Sequence, residues 1–367
     1  MPTRREVLQI GAWAAAGAAT RRLRAANAQP QTLLILGGTG FLGPPLTVEA
    51  LRRGWKVTHF NRGKHAAGGV EGVETLIGDR KGQLDSLRGR KWDAMVDDTG
   101  FVPKFVKMSA ELLSPNVGYC LFVSSTSVYA SFTKPNEEHS PTGALADPNG
   151  ETVNSETYGP MKAQCELISA AAFKGRASIV RPGYMVGPLD PSDRFTYWPV
   201  RASRGGEMLA PGTPRDPIQI IDVRDLAIWM MNLVGARTRG TFNAVSPPGA
   251  FTMGDLLSAS ERATPNSGTT VTWVAEDFLA AHWKPEEVDL PPWSPMKGDM
   301  AGASLTPTKL AERTGLTCRP LADTVRDTLT WFQSLPAERQ EKLHALLDPQ
   351  KEAETLHAWH EASTKAS

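Results

Sequence analysis

The amino-acid sequence predicts an α/β fold, a doubly wound parallel sheet with a smaller C-terminal part, and three observations carry the prediction. Short apolar runs at 33–36, 56–60, 93–97, 119–123 and 177–180 alternate with helical stretches, the pattern of a sheet covered on both faces. The first run, Leu33-Leu34-Ile35-Leu36, soon breaks into Gly37-x-x-Gly40-x-x-Gly43. That spacing writes a buried strand, a tight turn and a helix N-terminus able to hold a pyrophosphate. Further on, Tyr158-Gly-Pro-Met-Lys162 sets a phenol and an ammonium four residues apart, on one face of a helix.

In chain order, the first 28 residues stand apart. Arg4-Arg5, a weakly apolar stretch from Ile10 to Ala19 and the small-x-small site Ala26-Asn27-Ala28 read as a twin-arginine export signal. The stretch is too short and too rich in Ala and Gly for stable membrane insertion. The alternative is a disordered basic arm on a cytoplasmic protein. Without residues 1–28 the formal charge falls from +1 to about −3, which leaves no electrostatic footprint for nucleic acid. The 367 residues, 41% hydrophobic, suffice for one large core or two coupled domains.

Residues 29–186 carry the Rossmann-type dinucleotide-binding pattern. Its first helix, about Phe41 to Arg53, holds Pro44 and Pro45 in the first turn, where missing N–H groups cost least. The polar region 130–157 reads as a loop beside the site. From 187 to 335 the alternation weakens and Pro, Gly and Trp accumulate, as expected of a substrate-binding part, with 218–245 returning to the sheet. The proline-rich stretch 285–298 is expected to be an ordered loop over the pocket. Residues 336–367 read as a charged helical tail, with Trp331 and Trp359 as packing anchors. Three cysteines cannot make a complete disulfide framework, and Cys120 and Cys165 read as buried packing residues. His357-x-x-His360 lacks partner ligands, so no metal site is predicted.

Leu121-Phe122-Val123 runs into the hydroxyl cluster Ser124-Ser125-Thr126-Ser127, and Ser125 lies 33 residues before Tyr158. Serine, tyrosine and lysine so arranged resemble the extended short-chain dehydrogenase/reductase superfamily, the NAD-dependent epimerases and dehydratases. The resemblance runs from about residue 31 to 245 and includes Arg181-Pro182-Gly183 and Asp222-Val223-Arg224-Asp225. Asn61-Arg62-Gly63-Lys64, Gly78-Asp79-Arg80 and Asp97-Asp98-Thr99-Gly100 look like an atypical branch that also contains the chloroplast stem-loop RNA-binding proteins.

The resemblance implies roles. Tyr158 takes a proton from a substrate hydroxyl, Ser125 bonds the developing carbonyl oxygen, and Lys162 bonds the nicotinamide ribose. Thr126 is the alternative to Ser125, one position along. A phenol titrates near 10, too high for a base at neutral pH, and Lys162 with the nicotinamide ring is expected to lower it. Gly37, Thr39, Gly40, Phe41, Leu42, Gly43, Arg80 and Thr99 are further cofactor contacts, with Pro182 near the carboxamide. Asp79 would reach the adenine; its bland reading is a turn cap. Dehydratases of the superfamily carry Asp-Glu where this chain has Thr126-Ser127, so water elimination is not expected.

At the end of the second strand stands Asn61, followed by Arg62 and Lys64. No carboxylate there repels a 2′-phosphate and two cations could pair with it, so NADP is expected ahead of NAD. Otherwise the two cations simply solvate a loop. The expected activity is that of an epimerase or oxidoreductase on a carbohydrate-like small molecule, exported with its cofactor bound. A dissociable NADP-dependent dehydrogenase and a non-catalytic RNA-associated protein are the alternatives. Arg201, Arg204, Arg215, Gln219 and the tryptophans are candidates to line the pocket. A homodimer rests on analogy alone.

Overall fold

The computed structural model describes residues 30–64, 70, 72–284, 290–344 and 347–366; the expected export signal lies outside them. Seven strands form the central sheet: β1 (Thr32–Leu36), β2 (Lys56–Asn61), β3 (Glu74–Ile77), β4 (Ala94–Asp97), β5 (Cys120–Val123), β6 (Ala177–Pro182) and β7 (Gly240–Ala244). Their order is β7-β6-β5-β4-β1-β2-β3, and every neighbouring pair is parallel. This is the doubly wound Rossmann-type sheet the sequence predicts. Of the returning stretch 218–245, only β7 joins this sheet, Pro217–Ile218 and Ile220–Asp222 forming separate two-stranded pairs. β3 has no signal in the sequence, since it sits at the edge with Glu74, Thr75 and Ile77 exposed and burial imposes no pattern on it.

Alternation along β1 divides the core. Leu33 and Ile35 face helices α1 (Gly43–Arg52) and α4 (Val223–Ala236), packing with Leu46, Ala50, Leu226 and Met230. Leu34 and Leu36 belong to the opposite layer, with Ala110 and Leu113 of α2 (Pro103–Leu113) and Phe173 of α3 (Tyr158–Phe173). Residues 33–35 are fully buried, each contributing about 2 kcal/mol by removal from water. After β3 the chain crosses to the far side of β1, so the carboxyl ends of β1 and β4 splay apart. That switch point is where open α/β sheets bind ligands.

The C-terminal part has its own core around Trp198, Met253, Leu256, Trp293 and Val325. The tryptophans expected at the pocket anchor this core: Trp198 Nε1 donates to the Pro291 carbonyl and Trp293 Nε1 to Asp216 Oδ2, both at 2.8 Å. The tail forms helices Ala337–Glu341 and Pro349–Ala366. Buried Glu352 fastens it, accepting from Arg201 Nε (2.7 Å) and the Leu209 amide (3.0 Å). Residues 285–289 of the expected loop lie outside the described residues. The three cysteines are unbonded, Cys120 and Cys165 being buried. Among the described residues no helix is long and apolar enough to cross a membrane.

Candidate active site

The turn after β1 is shaped by its glycines. Gly37 and Gly38 have φ of 115° and 73°, values that favour glycine. A Cβ on Gly43 would fall 2.3 Å from the Gly38 carbonyl carbon, so α1 begins hard against the turn. At Gly40 the space is open, the nearest atom to such a Cβ being Asp98 Oδ2 at 3.9 Å. Gly37, Thr39 and Gly40 form one wall of a crevice of about 550 Å³. Leu42 is 1% exposed and packs its side chain into the core beneath α1, so its backbone alone is left to face a ligand.

Asn61, Arg62, Lys64, Asp79, Arg80 and Thr99 complete the crevice. Asn61 Oδ1 accepts the Gly63 amide at 2.8 Å, while its Nδ2 is buried without a partner. An orphaned donor is costly, and a ribose hydroxyl at this strand end is the partner a dinucleotide would bring. Arg62 and Lys64 are exposed. Asp79 Oδ1 caps the Lys81 amide at 3.0 Å, the turn-cap geometry. Arg80 is held within the fold: it grips both carboxylate oxygens of Asp97 (2.7 and 2.8 Å) and Ser109 Oγ (2.7 Å). Arg80 thus neutralises Asp97 while lining the crevice, with its Nε left unpartnered.

Asp98, next along, points to the glycine turn instead. Burial pushes its carboxyl up to about 7; Lys162 opposes the rise and Asp97 adds to it. Lys162 is 2% exposed. Its Nζ donates to the carbonyls of Gly100 (2.8 Å) and Val123, and lies over the rings of Phe122 (4.6 Å) and Phe101 (5.0 Å). Burial brings its ammonium down to about 8, with Asp97, Cys165 and Asp98 holding it up.

Gly159 brings Tyr158 to Ser125. A Cβ there would stand 2.0 Å from the Ser127 carbonyl oxygen, so glycine alone lets α3 start against the 3₁₀ turn Thr126–Val128. Ser125 caps that turn, its Oγ accepting the Ser127 amide and donating to Ser127 Oγ, both at 3.1 Å, and it stands near enough to the Tyr158 phenol to favour its ionised form. Burial pushes the phenol above its usual value, Ser125 and Arg194 draw it down, and Asp98 raises it. The net direction is thus upward, unlike the lowering expected from Lys162 with a nicotinamide ring, and the groups that oppose the rise are Ser125 and Arg194.

Ser125 and Tyr158 line a cavity of about 540 Å³, with Phe41, Thr126 and Pro182. It adjoins the crevice through Gly40-Phe41 and the Phe101–Tyr158 ring pair, 6.3 Å apart. Gln219 also lines it, but its amide is committed to Ser246 O, Thr306 O and the Thr306 amide, pinning a loop over the cavity. Arg201 and Arg204 lie instead beneath the tail helix, and Arg215 is not among the cavity residues. His360 pairs with Glu207 at 2.6 Å. Sequence reasoning missed Asp98, Phe101, Ser124, Asp190 and Arg194. Asp98 was visible beside Asp97, but only the fold reveals that the two carboxylates part ways.

No family model matches the chain. The chloroplast stem-loop binding protein of 41 kDa b of Arabidopsis thaliana is 26% identical over 249 residues, 63% of this chain and 62% of that protein. The chain therefore spans less than two thirds of this curated relative's length. Among solved structures, a UDP-glucose 4-epimerase superposes with a TM-score of 0.60 at 16% identity, covering 83% of this chain and 98% of that one. The Bordetella bronchiseptica enzyme WbmH in complex with NAD+ gives 0.60 at 16%, covering 83% and 99%. MoeE5 in complex with UDP-glucose and NAD gives 0.56 at 18%, covering 82% and 98%. At these identities what is shared is the fold: a Rossmann-type sheet with a smaller C-terminal part, like that of the epimerases.

Proposed function

We propose that the chain is an NAD(P)-dependent epimerase or oxidoreductase acting on a hydroxyl-bearing, carbohydrate-like substrate. One observation carries the reading: the Ser125–Tyr158 pair lines a cavity that adjoins a glycine-walled crevice, with Lys162 buried one helical turn from the phenol. When bound, a nicotinamide ring supplies the hydride acceptor. Tyr158 takes the proton of the substrate hydroxyl, and Ser125 holds that oxygen while favouring the phenolate. An ammonium has three donors, so Lys162 keeps one N–H beyond Gly100 and Val123 for a ribose hydroxyl. Thr126 and Ser127 stand where elimination of water would need carboxylates.

The open backbone at Gly40 and the orphaned Nδ2 of Asn61 fit a dinucleotide. The cofactor reading is NAD, supported by the NAD in two of the solved neighbours; Arg62 and Lys64 favour NADP as the alternative. The Arg4-Arg5 signal supports export with the cofactor already bound, which an epimerase cycle would regenerate in place.

A second reading follows from the stem-loop binding relative: a protein that associates with RNA. The two part in one experiment, mixing the nucleotide-loaded protein with neutral sugars and following both reduced-nicotinamide absorbance and the epimer composition of the sugar. The enzyme reading expects a signal that Tyr158→Phe lowers by about 10²- to 10⁴-fold. No signal in either protein, with RNA binding that weakens steeply in salt, supports the second.

A further inference from the structure

Two aspartates three residues apart meet opposite fates in the loop after β6. Asp193 is fully buried, and Arg339 Nη2 reaches both its oxygens at 2.7 Å while the His344 amide donates to Oδ2 at 3.0 Å. Asp190 is 3% exposed. Its Oδ1 accepts the amide and hydroxyl of Ser192 at 2.9 and 2.7 Å, but its Oδ2 is buried with no partner. Asp190 lines the cavity that holds Ser125 and Tyr158. Ser124, on the same cavity, also has a buried hydroxyl without a partner.

A buried carboxylate oxygen lacking a donor is costly, more so than a neutral group. The fold does not relieve that cost at Asp190, although it does so at Asp193. Leu189 and Asp193 hold φ of 77° and 55° on either side, so the loop also carries backbone strain where the carboxylate is presented. Among the described residues, Asp190 and Arg194 are the charged side chains lining the cavity. One cation against one carboxylate leaves nothing to balance a diphosphate, while hydroxyl groups would satisfy both orphaned atoms.

Resting on the enzyme reading above, we propose that Asp190 anchors the substrate, its Oδ2 accepting a hydroxyl of a neutral sugar or glycoside. The cavity thereby selects neutral polyhydroxylated compounds over acidic or nucleotide-linked ones.

The test uses D-glucose, D-galactose, D-glucuronate and UDP-glucose as probes. Their binding to the full protein and to Asp190→Asn is measured by calorimetry, beside the melting temperature of each protein. The carboxamide keeps the shape and the Ser192 turn but presents N–H where the oxygen accepted. Expected is binding of a neutral hexose that weakens roughly tenfold or more in the variant, with relatively better binding of glucuronate. The variant should melt at the same or a higher temperature, because an unpaired buried charge has gone; a purely structural aspartate would lower it. UDP-glucose binding more tightly than both hexoses, unchanged hexose affinity in the variant, or no binding by any probe would each overturn the proposal. Hexose binding that depends on Asp190, with neither reduced nicotinamide nor a changed epimer composition, would instead defeat the enzyme reading and leave this one standing.

Discussion

The crevice and the cavity are neighbours of nearly equal volume, about 550 and 540 Å³, yet they are built on different principles. In the crevice, charges and caps are settled within the protein: Arg80 on Asp97, Asp79 on Lys81, Asn61 Oδ1 on Gly63. What it offers a ligand is bare backbone at Gly40 and the orphaned donors Asn61 Nδ2 and Arg80 Nε. In the cavity the unmatched atoms are, among the described residues, the oxygens Ser124 Oγ and Asp190 Oδ2, and no backbone as bare as that at Gly40 stands beside them. A surface that recognises by backbone shape suits a constant ligand. One that recognises by waiting polar groups suits a particular one.

The contrast breaks most severely at Gly43. Gly43→Val would drive a side chain into the Gly38 carbonyl, 2.3 Å from the Cβ position, and is expected to abolish nucleotide binding outright. Calorimetric titration with NAD checks this, and detectable affinity would refute the shape argument. Gly159→Ala acts on the other region. Its Cβ would meet the Ser127 oxygen at 2.0 Å, so α3 must shift by displacing Tyr158 from Ser125. Nucleotide affinity should survive within a few-fold, while turnover falls by about tenfold or more.

Smaller effects sharpen the comparison through pH. Asp98 is pushed up to about 7 and lies 3.9 Å from a Cβ position on Gly40. It is neutral below that value and negative above it, so affinity for an anionic nucleotide should decline several-fold as pH rises through about 7. Asp98→Asn should flatten the decline. The smallest effect is at His59, whose ring lies under Gly38. Thr47 gives its one proton to the Gly43 carbonyl (2.7 Å), so His59 Nε2 must be the donor in its 2.8 Å bond to Thr47. Nδ1 is then unprotonated, buried and unpartnered. Burial lowers the imidazole pKa, so the unfolded chain binds the extra proton, and stability is lost as pH falls through about 6.5. His59→Gln, which removes that proton from the balance, should lose less melting temperature than wild type as pH falls through this range; equal acid slopes would contradict it.

Much of the crevice was legible in the sequence because a glycine turn depends on local backbone geometry, which residue type and spacing encode directly. The sheet was legible for the same reason, since strands buried on both faces must be continuously apolar; β3, at the edge, escaped because nothing buries it. Arg80 was legible only in part: a cation beside a cofactor motif reads as a ligand, while its pairing with Asp97 emerges only when the fold brings the two together across 17 residues of chain. Asp190 was illegible. Its sequence neighbours Pro191, Ser192 and Asp193 spell a polar loop, and whether such an aspartate is paired depends on partners such as Arg339, 146 residues away from Asp193.

The measurement that bears most directly on the account is the mass spectrum of small molecules released on denaturing protein purified without added nucleotide. About one equivalent of NAD, or NADP if Arg62 and Lys64 engage a 2′-phosphate, should be retained through purification. An empty protein that also binds neither nucleotide on titration would contradict it.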